Sequence, residues 1–282
     1  MKHCKLYLNY AGFCQAKASH AVKGDPHKDI RFRALFGLIE HPNLGWILFD
    51  TGYAKRFYDA TKSFPNKIYA LITKVTIVEN DEIKKQLIDA EISPNDIKHI
   101  IISHFHADHI AGLKDFKNAQ FYCSKLAWTQ VVNIPAFWGF AKGILKSLIP
   151  DTFLQRVLFI EDVSKEIDDE IFGKVYDIFS DDSILAFNVP GHAAGQIGVK
   201  LQTNKQTYLL VADACWDIRA ITDLAFPHPI VRLFFDSWKD FKQSIFKLKK
   251  YHKKYPNHII VPTHCHRTTE KLVSKKLNID EL

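Results

Sequence analysis

The chain has 282 residues and a net charge of +7, with 47% hydrophobic and 24% charged residues. That balance is ordinary for a soluble globular protein with a sizeable core. Its five cysteines are odd in number and lack framework spacing, which excludes a disulfide scaffold and points to a reducing compartment. No apolar run approaches the ~20 residues of a spanning helix. Met1-Lys2-His3-Cys4-Lys5-Leu6-Tyr7 holds no signal core, so the expectation is a cytoplasmic protein without a transmembrane segment.

In chain order, Phe32 to Asp50 reads as two strands around the turn His41-Pro42-Asn43-Leu44-Gly45. The second runs through Trp46-Ile47-Leu48-Phe49 into Asp50-Thr51-Gly52, a carboxylate on a loop at a strand end. Asp81 to Ala90 has helical periodicity, and Ser93-Pro94-Asn95-Asp96 turns the chain into a strand at 98–103. This strand delivers His104-Phe105-His106-Ala107-Asp108-His109, four metal-capable side chains within six residues. Imidazole suits Zn²⁺, and carboxylate suits a harder or bridging role. The bland alternative is a polar loop with surface histidines.

Ile134 to Pro150 is apolar, with Phe137, Phe140, Ala141, Ile144, Leu145 and Leu148 on one predicted helical stripe. An insert at about 126–160 is therefore read as a helical lid or an interface, with ordinary packing or membrane contact as alternatives. A strand at 184–189 ends in Pro190-Gly191-His192. A hairpin at 199–211 runs into Ala212-Asp213-Ala214-Cys215-Trp216. The pattern at 237–254 is an amphipathic helix whose lysines form a solvated face, so no nucleic-acid partner is expected. A last strand, Ile259-Ile260-Val261-Pro262, ends in Thr263-His264. Cys215 and Cys265 read as small buried residues beneath these loops. The same arrangement recurs: buried strand, abrupt loop, one metal-capable residue.

Asp50-Thr51-Gly52, the His-x-His-x-Asp-His run, His192, Asp213 and His264 occur in the order of the metallo-β-lactamase superfamily, which the chain resembles from about residue 30 to 265. The resemblance implies an α/β fold, an αββα sandwich of two mixed sheets face to face with helices outside, here one domain over 1–282. It implies one divalent ion on His104, His106 and His192, a second on Asp108, His109 and His264, and Asp213 bridging both, with Asp50 orienting a ligand. Such a pair, about 3.5–4 Å apart, shares a hydroxide and polarises the scissile bond. Asp108 and Asp213 accept a proton in turnover. Zn is the expected metal; Fe, Mn or Co also suit the set.

Within the superfamily, the segments Glu91-Ile92-Ser93-Pro94-Asn95-Asp96-Ile97, Ser103 to Gly112, Pro190-Gly191-His192 and Ala212-Asp213-Ala214 are most similar to the N-acyl homoserine lactonase group. The resemblance implies a small-molecule lactone or carboxylic ester with an apolar acyl part, and a possible homodimer. Two positions depart from that group. Trp216 stands where those lactonases commonly carry Tyr, and Ala107 is smaller than the residue often found inside the motif. Trp216, Ala107 and Phe140 are the expected substrate contacts. A thioester or phosphodiester hydrolase on the same metals, and a non-catalytic ligand-binding member of the fold, remain as alternatives.

Overall fold

Alternation at period two sorts the side chains of each strand between two layers of core. In the strand Gly45–Phe49, Ile47 and Phe49 face a central core and Leu48 faces an outer one. In Thr207–Ala212, Leu210 and Ala212 are central while Leu209 and Val211 are outer. The computed structural model, which describes residues 2–273 and Leu277, builds two sheets from strands of this kind.

The first sheet contains β1 (Lys5–Lys17), β2 (Asp29–His41), β3 (Gly45–Phe49), β4 (Val75–Thr76), β5 (Ile97–Ile101), β6 (Gln120–Cys123) and β7 (Val157–Phe159), in the order β4-β1-β2-β3-β5-β6-β7. Its β3, β5, β6 and β7 are parallel, and β4, β1, β2 and β3 are antiparallel neighbours. The second sheet contains β8 (Lys165–Asp169), β9 (Gly173–Asp177), β10 (Ile184–Asn188), β11 (Ile197–Gln202), β12 (Thr207–Ala212) and β13 (Ile259–Pro262), in the order β13-β12-β11-β10-β9-β8. Only the β12–β13 pair is parallel there. Leu8, Ile39, Ile47 and Ile101 of one sheet meet Ile184, Ile197, Val199 and Val261 of the other in the central core. The short helices Ile83–Asp89 and Lys125–Asn133 cover the outer face of the first sheet, and the long helix Trp238–Lys254 covers that of the second. This is the expected α/β sandwich.

Helix Trp238–Lys254 buries Phe241, Ile245, Leu248 and Tyr251 at helical spacing. Its lysines turn outward, and Lys247, Lys249 and Lys250 donate to backbone carbonyls of neighbouring loops. Ser237 caps it, its Oγ accepting from the Asp240 N–H at 3.2 Å. Ser237→Ala is expected to cost about 1 kcal/mol of stability, measured as a shift of the denaturant midpoint at unchanged slope.

The segment 134–150 corrects the sequence reading. Instead of one helix with a continuous stripe, it forms two short 3-10 turns, Ala136–Lys142 and Lys146–Leu148. Gly143 divides them in the left-handed conformation, with φ 69°, which ends a right-handed turn at little cost only for glycine. Ile144, Leu145 and Leu148 are buried, while Phe137 and Trp138 stay exposed.

Candidate metal centre

The parallel arrangement carries β3 and β5 toward the same edge of the first sheet, and β12 and β13 toward one edge of the second. The loops leaving them hold Asp50, the His104–His109 run, Asp213 and His264; His192 follows β10. A rigid sheet edge holds such side chains to the tolerance that a metal site needs. Two residues at these strand ends carry backbone strain: Asp50, just after β3, has φ 58°, and Ala212, the last residue of β12, has φ 47°.

The side chains meet in two groups. His104, His106 and His192 form one, and Asp108, His109, Asp213 and His264 the other, each with candidate ligand atoms within 4.8 Å of one another. Asp213 lies between the groups. Its Oδ2 is 3.2 Å from His192 Nε2 and 3.1 Å from His264 Nε2, and its Oδ1 is 3.4 Å from His109 Nε2. Asp108 Oδ2 is 3.2 Å from His264 Nε2, and His106 Nδ1 faces His192 Nε2 at 2.9 Å.

Outer contacts fix the rings. His109 Nδ1–H donates to Asp50 Oδ2 at 2.7 Å, which leaves Nε2 for the cluster. Ser103 anchors Asp50 twice, through its N–H at 2.8 Å and its hydroxyl at 2.7 Å. His264 Nδ1–H donates to the Arg33 carbonyl at 3.0 Å, and Phe32 stacks on the same ring with centroids 4.8 Å apart. Neither Arg33 nor Phe32 was legible as a site residue, because the signal is a backbone carbonyl and a ring face on another strand. Ser103 adjoined the motif but carried no spacing signal of its own.

The donor set fits divalent metal ions. His104 Nε2, His109 Nε2 and Asp213 Oδ1 are buried without a hydrogen-bond partner, and such atoms are costly unless something binds them. Burial holds His106 down at about 4 and His192 at about 3, and depresses His104 as well. All three are therefore neutral imidazoles at neutral pH, and the neutral ring keeps the nitrogen lone pair that binds metal. In the other group burial opposes the charge, but carboxylates outweigh it. Asp213 and Asp108 raise His264 to about 10, and Asp108 and Asp50 raise His109. That half of the cluster holds protons which a cation in the same place displaces. Asp50→Asn keeps the shape but weakens the hold on His109. Metal affinity or turnover is expected to fall about 10- to 100-fold, read by chelator competition and steady-state kinetics.

A cavity of about 650 Å³ opens over the cluster, lined by His106, Asp108, His192, Asp213 and His264 at its floor. Phe140, Trp216, Val231, Leu233 and Phe234 make its apolar wall, and Tyr53 and Tyr69 also line it. Trp216 packs on Phe32, Phe235 and His192 at centroid distances of 5.4, 5.1 and 5.8 Å. Its Nε1–H is buried without a partner. Gly143 abuts His106: an added Cβ would lie 2.9 Å from its ring. Ala107 is placed differently from the expected substrate contact. It is fully buried in the outer core of the first sheet and lines no part of the cavity, because as the first residue of the helical turn Ala107–Ile110 it faces inward. Arg56 is tied to Asp115 by two hydrogen bonds of 2.7 and 3.0 Å. Cys215 and Cys265 are buried outside both ligand groups.

Such strand-end imidazoles and carboxylates under an open cavity are the equipment of a metal-dependent hydrolase. The family model described as the metallo-beta-lactamase superfamily matches residues 32–266, and the chain belongs to that superfamily. A curated relative, the N-acyl homoserine lactonase AttM of Azorhizobium caulinodans, is 24% identical over 252 residues, covering 88% of this chain and 89% of its own. Among solved structures, a Bacillus thuringiensis AiiA mutant with N-decanoyl-L-homoserine bound superposes with a TM-score of 0.71 at 21% identity, covering 96% of this chain and 97% of that one. AidC, a dizinc quorum-quenching lactonase solved with a homoserine product, gives a TM-score of 0.61 at 18% identity over 94% of this chain and 89% of its own. No helix among the described residues is long and apolar enough to cross a membrane.

Proposed function

We propose that the protein is a dinuclear metallohydrolase that opens a lactone, or cleaves a carboxylic ester, bearing an apolar acyl group, with N-acyl homoserine lactones as the leading substrate class. The observation that carries the reading is the cavity: a polar cluster at its floor lies directly beneath an apolar wall of Phe140, Trp216, Val231, Leu233 and Phe234. The names of the AttM and AiiA relatives support the same substrate class. His104, His106 and His192 hold one ion, Asp108, His109 and His264 the other, and Asp213 serves both. Zinc is the metal we favour, since neutral imidazoles dominate the first group. Bound there, the two ions supply a nucleophile from water near neutral pH and polarise the scissile carbonyl.

The chain's own residues do the rest. Asp50 and the Arg33 carbonyl fix the tautomers of His109 and His264. Asp108 and Asp213 are the carboxylates in reach to take up the proton released in turnover. The Trp216 Nε1–H offers one donor to a substrate oxygen but cannot accept a proton. Any acid role that a phenol would fill at that position therefore falls to another group. Five free cysteines support a reducing, cytoplasmic setting.

The test is lactone opening followed by proton release, with zinc-loaded and chelated protein and a series of acyl lengths. Ring opening by the loaded protein alone is expected, with longer acyl chains favoured. If loaded protein opens no lactone of any length yet cleaves a thioester or bis-nitrophenyl phosphate, the lactonase reading fails.

A further inference from the structure

Three stretches line much of the cavity and its mouth, residues 61–75, 134–150 and 224–235; Lys17, His20, Asp29 and Phe32 complete the lining from the other side. Phe64 of the first stretch packs edge-on against Phe137 of the second, with centroids 5.6 Å apart. Together they make up less than a fifth of the chain. They nevertheless hold eight of the sixteen exposed large apolar side chains among the described residues. Leu233 is 79% exposed, and Phe64, Leu71 and Trp138 are more than half exposed. Such a concentration marks a contact surface rather than ordinary scatter.

The charge of these stretches is equally one-sided. They carry six lysines and arginines and no aspartate or glutamate, in a chain with 38 basic and 31 acidic residues. Lys62, Lys67 and Lys74 are exposed and form no ion pair among the described residues. Lys142 reaches only to 4.0 Å from Asp236. Apolar side chains ringed by unpaired cations match an anionic lipid surface, where the rings and aliphatic chains enter the interface and the lysines meet the headgroups. A second copy of the chain is the poorer occupant, because a two-fold contact would bring two predominantly basic rims face to face, while Asp29, which also lines the cavity, is already taken up by Lys17 at 2.8 Å.

We propose that the mouth of the cavity docks on an anionic membrane surface, so that substrates with apolar acyl chains reach the site from the bilayer. The rim carries this inference, and it stands whichever ester the site opens. The segment 134–150 is then a membrane-facing part of the entrance as well as a wall of the cavity.

Sedimentation with phosphatidylcholine vesicles, with and without phosphatidylglycerol, tests it. Binding is expected only to the anionic vesicles and should fade as salt rises. Each lysine at such a surface is worth roughly a five-fold change in partitioning, so Lys62→Glu with Lys67→Glu should weaken binding at least ~10-fold. Leu71→Ser should weaken it too. These three side chains are exposed, so the variants should melt like the parent; the salt titration of the parent protein needs no variant. Failure to bind phosphatidylglycerol vesicles, binding indifferent to lipid charge, or a stable dimer by ultracentrifugation that Leu71→Ser dissociates would overturn the proposal. No substrate is present in this assay, so its failure is distinct from failure to open a lactone.

Discussion

Asp213→Ala is expected to lower turnover by at least about 10³-fold, within the range for losing a group that both positions and takes protons. The reason is its place. Its two oxygens lie 3.1 to 3.4 Å from imidazole nitrogens of His192, His264 and His109, which belong to both ligand groups. His106→Ala removes one candidate ligand from one group, whereas Asp213→Ala removes the carboxylate that lies between both and leaves Asp108 as the second group's own carboxylate, with Asp50 behind His109. Metal content by elemental analysis should therefore fall together with kcat, and the melting temperature should lose the increment that metal confers on the parent protein. Asp213→Asn separates charge from volume, since it fills the same space without the negative charge, and its kcat should fall nearly as far. A variant that kept two metals per chain and near-parental kcat would remove Asp213 from the proposed chemistry.

The parts of this arrangement that were legible in the sequence share one property: their signal is local. Apolar runs bounded by sharp turn residues marked β3, β5 and the β11–β12 pair, and an amphipathic pattern marked helix Trp238–Lys254. Metal-capable side chains at strand ends named the seven residues that the fold brings within two clusters. The long β1 and the strands β8 and β9 gave no comparable signal, because polar residues and an irregular register between Tyr10 and Phe13 interrupt their pattern. The 134–150 segment misled for the opposite reason. Its apolar spacing is helical, but Gly143 in a left-handed conformation breaks the helix, and contact with His106 requires that glycine. Ala107 misled because position within the motif says nothing about which way a helical turn faces. Residues that complete the cavity from a distance, such as Tyr69, Val231 and Leu233, have meaning only once separate segments of the chain converge.

Gly191→Ala is the substitution expected to damage the fold most for the smallest chemical change. Gly191 has φ 128°, a region that L side chains rarely enter, and an added Cβ would lie 2.1 Å from the Phe241 backbone nitrogen and 2.3 Å from its Cα. The obstacle is backbone in the first turn of helix Trp238–Lys254, so no rotamer change can relieve it. The same contact carries the Ser237 N–H to the Gly191 carbonyl at 2.9 Å and the Asp236 N–H to the His192 carbonyl at 3.1 Å. Strain of about 1–3 kcal/mol for the dihedral and a similar amount for overpacking predict a loss of about 2–6 kcal/mol. At roughly 2–4 °C per kcal/mol for a chain of this size, the melting temperature should fall by about 10 °C. Gly173→Ala is the control: its φ is also positive, at 83°, but nothing lies within 4 Å of the added Cβ. It should therefore lose only the dihedral part. Because His192 follows Gly191 directly, the shift that relieves the clash should move this proposed ligand, so the Gly191→Ala protein should also bind metal more weakly at temperatures where it is still folded. Equal melting losses in the two glycine variants would mean that the helix yields freely. The close packing of helix Trp238–Lys254 on the Gly191 backbone would then not be what holds His192 in the cluster.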